Sequence, residues 1–327
     1  MMYPIKFENL YYERIWGGND LEKFRDNVPE GVIGESWDIA CHKNGTGKVV
    51  NGKLKGKGFD EIIKEYGHKL LGNAIDTDKD FPLLIKLITA KDKLSVQVHP
   101  DDEYAAKVEN DLGKTEAWYV IDAEEGASLI VGTKDCDKEK FKKAIEDENL
   151  EPYLNKIEVK KGDFFYVQSG LVHAICEGIL IAEIQQSSDT TYRVYDYNRG
   201  REIHVAKALD VIDFSLKGEN SKGIIIENDR YDKTYLCLGK YFTIQKYDIK
   251  SSATEESDKD RFYLFTCVDG EGTIKYADGE EKISMGDSIF IPASLGKYEL
   301  SGKFTLLKSY VPDIKAEEEN ILSTIRK

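Results

Sequence analysis

The feature that most constrains the fold of this chain is a set of short segments in which apolar and polar residues alternate. Residues 94–99, 164–167 and 242–247 follow this pattern, and successive side chains of a β-strand point to opposite faces. Turns rich in glycine and aspartate separate such segments, as at residues 161–163 and 269–272. Many short strands with few helices predict a mainly β fold, built as a sandwich or a barrel.

Helical periodicity is limited to three segments. Residues 59–71, 102–109 and 138–155 carry the spacing of surface helices. The polar run 251–259 is predicted to be an exposed loop at a hairpin tip. The helices are therefore expected at the periphery of the β structure.

Two stretches of the chain resemble each other, residues 161–173 and 285–297. In both, Gly-Asp opens a turn, an apolar strand follows, and a loop of small residues leads to the next strand. The residue eleven after the glycine is His173 in the first copy and Lys297 in the second. A Gly-Asp turn followed by such a histidine closes the metal site of cupins, which are double-stranded β-helix barrels. The pattern predicts two cupin-like barrels, the second without its metal ligand. Because Gly-Asp turns are common, a chance similarity of two β-turn-β units is the alternative.

A length of 327 residues exceeds what one ordinary core accommodates and favours two domains. The junction is expected near residues 217–230, where the run 217–223 is polar and contains glycine. We therefore predict a catalytic domain over residues 1–222 and a second, metal-free domain over residues 223–327.

Composition limits the partners and the compartment. The net charge of −14 opposes binding to nucleic acid, because no basic excess exists to replace phosphate counterions. No apolar run approaches the roughly 20 residues that span a bilayer, and the first residues lack a signal-peptide layout. Five scattered cysteines without a Cys-x-x-Cys pair argue against a disulfide framework and a thiolate zinc site. A cytoplasmic protein without membrane or nucleic-acid partners is expected; the oligomeric state is left open.

Four residues form a candidate metal site. Gln97 and His99 are two apart on a predicted strand and so share a face, Glu116 lies in another strand-like run, and His173 closes the Gly-Asp repeat. Two imidazoles, a carboxylate and an amide oxygen suit zinc, with iron or manganese possible. The remaining histidines are interpreted as structural: His42, His68 and His204.

Six segments over residues 8–205 resemble, in order and spacing, the short bacterial form of the type I mannose-6-phosphate isomerases. They are residues 12–18 (YERIWGG), 34–37 (GESW), 94–102 (LSVQVHPDD), 114–119 (KTEAWY), 170–174 (GLVHA) and 183–193 (EIQQSSDTTYR). The chain departs from longer members in lacking a helical domain inserted between the barrels.

The resemblance implies a zinc-dependent aldose–ketose isomerase that interconverts mannose 6-phosphate and fructose 6-phosphate, with one zinc ion per chain. Its metal ligands fall on the four residues above. The family's active-site arginine falls on Arg193, an acidic residue on Glu183 and a lysine on Lys114. Ser95 occupies the place of a phosphate contact, and Arg199 that of a basic substrate contact.

The chemistry requires a proton to leave C2 and one to reach C1 through an enediol(ate). Arg193 suits stabilisation of the negative charge, because a guanidinium is permanently protonated. Glu183 or Lys114 is the proton shuttle, and the residues do not decide between them. Structural roles are the alternatives: a Glu183–Arg193 ion pair and a solvated Lys114. Trp16 forms either a pocket wall or part of the core.

Two other functions fit a barrel of this kind. One is a non-haem iron cupin dioxygenase, which two histidines and a carboxylate support. The other is a non-catalytic cupin that binds sugar phosphates.

Overall fold

The computed structural model describes residues 2–325, and strands dominate this part of the chain. This confirms the predicted mainly β fold. The strands are β1 (Ile5–Lys6), β2 (Leu10–Gly18), β3 (Ile33–Ile39), β4 (Cys41–His42), β5 (Gly45–Thr46), β6 (Leu83–Ala90), β7 (Val96–Val98), β8 (Glu116–Ala123), β9 (Ser128–Thr133), β10 (Leu154–Glu158), β11 (Phe164–Val167), β12 (His173–Ile175), β13 (Ile179–Gln186), β14 (Tyr192–Tyr195), β15 (Ile224–Glu227), β16 (Tyr231–Leu238), β17 (Thr243–Ile249), β18 (Ser252–Glu256), β19 (Tyr263–Tyr276), β20 (Gly279–Ser284), β21 (Ser288–Ile291) and β22 (Lys297–Tyr310).

The helices lie between or after these strands. They are α1 (Phe59–Tyr66), α2 (His68–Leu71), α3 (Asp102–Val108), α4 (Lys138–Glu146), α5 (Val205–Val211) and α6 (Ile314–Ile325), with short 3₁₀ turns at Asp20–Lys23, Gly52–Leu54 and Glu151–Tyr153. Within residues 2–325, no helix has the length and hydropathy that crossing a bilayer requires.

The strands form two units. The first β unit contains a six-stranded sheet, in the order β11-β8-β13-β6-β3-β2, and a five-stranded sheet, in the order β10-β9-β12-β7-β14. The central strands β6 and β13 are buried at every residue, as expected of strands covered on both faces. The ribbon of β4 and β5 adjoins this unit.

The second β unit is a nine-stranded sheet. Its main path is β1-β21-β19-β22-β17-β16-β15, with β18 paired to β22 and β20 paired to β19. The strand β1 comes from the predicted first domain but pairs with β21. The boundary between residues 222 and 223 therefore stays a prediction, although β15 begins just after it, at Ile224.

The two Gly-Asp stretches occupy equivalent places in the two units. Gly162 and Gly286 both have φ of +89°, a left-handed conformation that favours glycine. Each turn leads into a short buried strand, β11 or β21. The strand after each loop then begins at His173, which is buried, or at Lys297, which is exposed.

Several local predictions need correction. The segment 59–71 is two helices, because Gly67 has φ of +48° between them. The helix predicted over 138–155 ends at Glu146, and β10 begins at Leu154. The polar run 251–259 contains β18, because pairing with β22 and burial of Ala253 override its polar composition. The helices α5 and α6 were not predicted.

A buried ion pair joins the two units. Arg25 pairs with Asp38 of β3, and its guanidinium also donates to Ser36 Oγ at 2.7 Å and to the carbonyl of Gly286 at 3.1 Å. Ser288 of β21 donates to the same Asp38 carboxylate at 3.1 Å. Both charged side chains are almost fully buried, with exposures of 6% and 0%. The contact therefore fixes the Gly286 turn against the first β unit.

We expect Arg25→Met to lower the free energy of unfolding by about 3–5 kcal/mol, because Asp38 would remain buried without its counter-charge. Lys23→Ala is the matched control. Its ion pair with Asp20 is exposed, so its loss should cost less than about 1 kcal/mol. Denaturant unfolding of the variants measures the difference, and equal stability of the two would contradict this role for Arg25.

Candidate metal centre and active site

Three strands of the first β unit bring the predicted ligands together. Gln97 lies in β7, with His99 just beyond it; Glu116 begins β8; and His173 begins β12. In the register between β12 and β7, His173 lies directly opposite Gln97. The side chains of His99, Glu116 and His173 are each at most 1% exposed. The sheet pairing therefore places ligands that are far apart in sequence at one buried point.

The donor atoms lie close together. The Nε2 atoms of His99 and His173 are 3.1 Å apart, and each is 3.4 Å from a different oxygen of Glu116. The Gln97 side-chain amide lies 3.3 Å from His173 Nε2. A tetrahedral ion with bonds of ~2.0–2.1 Å separates its ligand atoms by about 3.3–3.4 Å. The spacing of this cluster thus fits a divalent metal ion.

Hydrogen bonds to the backbone orient both imidazoles. His99 Nδ1 lies 2.9 Å from the carbonyl of Thr190, and His173 Nδ1 lies 2.8 Å from that of Leu171. Each Nδ1 must then carry the proton, which leaves the Nε2 lone pairs directed at each other and at Glu116. Among the described residues, Glu116 Oε1 accepts no hydrogen bond, and Oε2 has the Lys114 ammonium beside it, at 3.0 Å. Converging lone pairs of this kind are the donor set of a metal site.

Burial keeps the imidazoles in the form that binds metals. Desolvation lowers the pKa of His99 to about 3 and also lowers the pKa of His173. Both rings are therefore neutral at physiological pH.

Lys114 is part of the same cluster rather than a solvated residue. Its side chain is 5% exposed, and its Nζ lies 3.0 Å from Glu116 Oε2. Burial lowers the pKa of the Lys114 ammonium, but the carboxylates of Glu116 and Glu183 outweigh burial and raise it. Lys114 is thus held in its charged form.

A cavity of about 340 Å³ opens beside the metal cluster. Seven residues singled out in the sequence contribute to its wall: Trp16, Ser95, Gln97, Lys114, His173, Glu183 and Arg193. Trp16 is only 4% exposed and also packs in the core of the first β unit, so it serves as both wall and core. The volume lies in the range of small-molecule sites.

Glu183 faces this cavity from β13. Its Oε2 accepts a hydrogen bond from Trp118 Nε1 at 3.0 Å, while Oε1 has no hydrogen-bond partner among the described residues. Lys86 Nζ lies 3.4 Å from Oε1, so the partner of this carboxylate is Lys86 and not Arg193. Burial and the Glu116 carboxylate raise the pKa of Glu183, although Lys86 and Lys114 oppose the shift.

Sequence reasoning missed a network of charged residues in the cavity wall. Glu35 pairs with Arg14 at 2.9 Å and lies 3.9 Å from Lys86. Although burial opposes it, Lys86 and Arg14 lower the pKa of Glu35 to about 2. The sequence contained a signal for Lys86, which is the one charged residue in the mostly apolar strand β6. Because an unpaired charge is rarely buried, a lysine in such a strand indicates a buried acidic partner.

The arginines differ in where they point. Arg193 Nε donates to Ser95 Oγ at 3.1 Å, and both residues line the cavity. Arg199 instead donates to the Lys93 carbonyl at 2.6 Å and lies outside the lining. Arg201, two residues on, does line it.

The other histidines have separate surroundings. His42 packs edge-to-face against Trp37, with ring centroids 5.7 Å apart, and His68 Nδ1 lies 2.9 Å from the Gly72 carbonyl oxygen. His204, interpreted from the sequence as structural, lies in the cavity wall and accepts a hydrogen bond from the Arg193 backbone at 3.3 Å.

Chemically, the site combines a neutral-imidazole and carboxylate cluster, a carboxyl group with a raised pKa, and guanidinium groups around one cavity. Such a combination can bind an anionic ligand and move a proton on it.

Comparison with known proteins agrees with this geometry. Residues 5–143 match the family description "Phosphomannose isomerase type I, catalytic domain", and residues 231–311 match "Mannose-6-phosphate isomerase, cupin domain". The second match confirms the predicted cupin character.

Individual relatives cover nearly the whole chain. The mannose-6-phosphate isomerase of Streptococcus mutans is 38% identical over 95% of this chain and 99% of its own length. One from Bacillus subtilis is 38% identical over 94% and 99%. A crystal structure of mannose 6-phosphate isomerase from Bacillus subtilis matches with a TM-score of 0.88 and 36% identity, over 94% of this chain and 99% of that one. The chain therefore belongs to the type I mannose-6-phosphate isomerases, the family of enzymes that its motifs predict.

Proposed function

We propose that this protein interconverts mannose 6-phosphate and fructose 6-phosphate, with one zinc ion per chain. The observation that carries the proposal is the buried cluster of His99, Glu116 and His173 beside a cavity that Glu183 and Arg193 also line. Family membership supports the reaction, and the cytoplasmic location remains a prediction from the sequence.

His99, Glu116 and His173 would hold the metal, with Gln97 as a weaker fourth ligand. Two neutral imidazoles and one carboxylate form the ligand set of many catalytic zinc sites. A bound zinc ion would supply a fixed positive charge next to the sugar oxygens that become negative during the reaction.

Glu183 is the proposed proton shuttle between C2 and C1 of an enediol(ate). Its Oε1 accepts no hydrogen bond among the described residues and has Lys86 Nζ as its ion-pair partner at 3.4 Å, while Trp118 holds Oε2. The pKa of Glu183 is raised toward neutral pH. A carboxyl group with such a pKa can both accept a proton from the substrate and return it. Lys114, charged and paired with Glu116, is a poorer base and is assigned to substrate oxygen contacts.

Arg193 is proposed to stabilise the negative charge of the enediolate. Its guanidinium is fixed by Ser95 Oγ at 3.1 Å and by the Glu202 carbonyl at 2.8 Å. A charge held in place before the reaction stabilises a transition state more than a mobile one. Ser95 and Trp16 complete the proposed substrate contacts. Arg199 lies outside the cavity lining and would affect substrate binding only through residues that it contacts, such as Asp196.

We expect His173→Ala to lose bound zinc and isomerase activity together, because His99, Glu116 and the weaker ligand Gln97 cannot replace the lost imidazole. Metal analysis and a coupled assay for fructose 6-phosphate measure both quantities. His68→Ala, an exposed histidine, is the control and should retain both. A metal-free variant with full activity would contradict the site.

The same assay separates the alternatives. Chelation should abolish isomerisation of the wild-type protein, and zinc should restore it. Oxygen uptake with iron(II) would instead favour the dioxygenase, and tight sugar-phosphate binding without turnover would favour the non-catalytic cupin.

We expect Glu183→Gln to retain zinc but lower kcat by about 10²–10⁴-fold, the usual contribution of a general base. In deuterated water it should also slow the exchange of the C2 proton, which NMR detects. Glu177→Gln, an exposed glutamate of the same segment, is the control. Unchanged exchange in Glu183→Gln would transfer the role to another residue.

We expect Arg193→Ala to keep its zinc and to turn over at least about 10²-fold more slowly, as after the loss of a preorganised charge. Steady-state kinetics with metal analysis measure this, with the exposed Arg230→Ala as control. A wild-type rate would remove Arg193 from the mechanism.

A further inference from the structure

Two arginines contact one buried carboxylate beside the cavity. Asp196, which is 4% exposed, accepts hydrogen bonds from Arg201 Nε at 2.9 Å and Arg201 Nη2 at 2.5 Å. Arg199 Nε lies 3.6 Å from the same carboxylate. Arg193, which lines the same cavity, is influenced by the charge of Asp196, but no ion pair joins these two among the described residues.

Asp196 holds two of these guanidiniums in different directions. Arg199 bonds the Lys93 carbonyl at 2.6 Å and lies 3.4 Å from Asp92, so its nitrogens are occupied outside the cavity. Arg201 lines the cavity. Within residues 2–325, its Nη1 has no hydrogen-bond partner, which leaves a donor available to a ligand.

A turn of the backbone at Tyr197 and Asn198 sets the positions of Arg199 and Arg201 relative to Asp196. Tyr197 and Asn198 both have positive φ, +53° and +58°, a conformation that costs free energy in residues other than glycine. This turn folds the chain back, so that Arg201 reaches a carboxylate five residues before it. The Tyr197 ring is covered by Lys93 and Arg199, each 5.2 Å from its centre.

The charged residues that line the cavity are compensated unequally. In the group that includes Lys114, each cation has a carboxylate partner: Arg14 pairs with Glu35, Lys86 with Glu183, and Lys114 with Glu116. Asp189 also acts on Lys114.

In the second group, which we call the arginine end of the cavity, Arg199 and Arg201 share Asp196, and Arg193 lines the cavity with Arg201. The further carboxylates there, Asp92 and Glu202, are 63% and 84% exposed and are screened by solvent. Three guanidiniums with one buried carboxylate leave a net positive charge at this end, which favours an anion.

We propose that Asp196 is a positioning residue that holds Arg201 in the cavity wall, where Arg201 binds the phosphate dianion of the substrate. The inference deepens the proposed function and rests on it. Two hydrogen bonds to Asp196 fix the planar guanidinium, which then offers Nη1 to a phosphate oxygen without first losing side-chain freedom. The phosphate at this end directs the sugar carbons toward Glu183 and the metal cluster.

The test is the variant Asp196→Asn, assayed with mannose 6-phosphate and with inorganic phosphate as a competitive inhibitor. We expect KM and the inhibition constant of phosphate to rise together by about 10- to 100-fold, the loss of one charge-assisted contact. The value of kcat should stay within about threefold, and bound zinc should be retained. Asp92→Asn, the exposed partner of Arg199, is the control and should leave both constants unchanged.

A double-mutant cycle separates positioning from a general loss of stability. Arg201→Ala should raise KM as Asp196→Asn does, and adding Asp196→Asn to it should change KM by less than about threefold, because Asp196 acts through Arg201. The inference would be overturned if the two substitutions multiplied each other's effects on KM in the double variant, or if Asp196→Asn left KM unchanged.

The inference can fail independently of the proposed function. If the wild-type protein does not convert mannose 6-phosphate, the proposed function is wrong. Calorimetric titration with inorganic phosphate then still decides the inference, and Asp196→Asn binding phosphate as tightly as wild type would overturn it.

Discussion

The active site depends on the convergence of His99, Glu116 and His173 inside the first β unit. Their donor atoms lie 3.1–3.4 Å apart and are buried. Lone pairs at such distances repel one another unless a cation lies between them. Strand register and hydrogen bonds to the carbonyls of Thr190 and Leu171 hold the two imidazoles in place. The folding free energy of the sheets therefore assembles the site before any metal binds.

Pairs of opposite charge surround this centre. Lys114 pairs with Glu116, Lys86 with Glu183, and Glu35 with Arg14. These pairs balance positive and negative charges beside the metal cluster. Burial and the Glu116 carboxylate raise the pKa of Glu183 against the opposing charges of Lys86 and Lys114. The arginines beyond them are only partly compensated. A single cavity can thus bind a dianion and still contain a carboxyl group suited to proton transfer.

The sequence was informative where function is tied to strand spacing. Gln97 and His99 share a face because they are two apart, and the Gly-Asp turn before His173 has a glycine-dependent conformation. The fold class followed from the same periodicity. Motifs of this kind are local, so one sequence reveals them.

Contacts between distant segments were not accessible in that way. The pairing of Lys86 with Glu183 depends on the register of β6 and β13, and the helix break at Gly67 depends on a backbone angle. Arg199 and Arg201 are two apart, yet only Arg201 lines the cavity, because the turn at Tyr197 and Asn198 sets their directions. Spacing alone does not distinguish the two arginines.

X-ray absorption at the zinc edge of the purified protein tests the metal centre most directly. We expect one zinc ion per chain, with two imidazole nitrogens and at least one oxygen at about 2.0–2.2 Å. A zinc shell containing sulfur, or a single imidazole, would contradict this expectation.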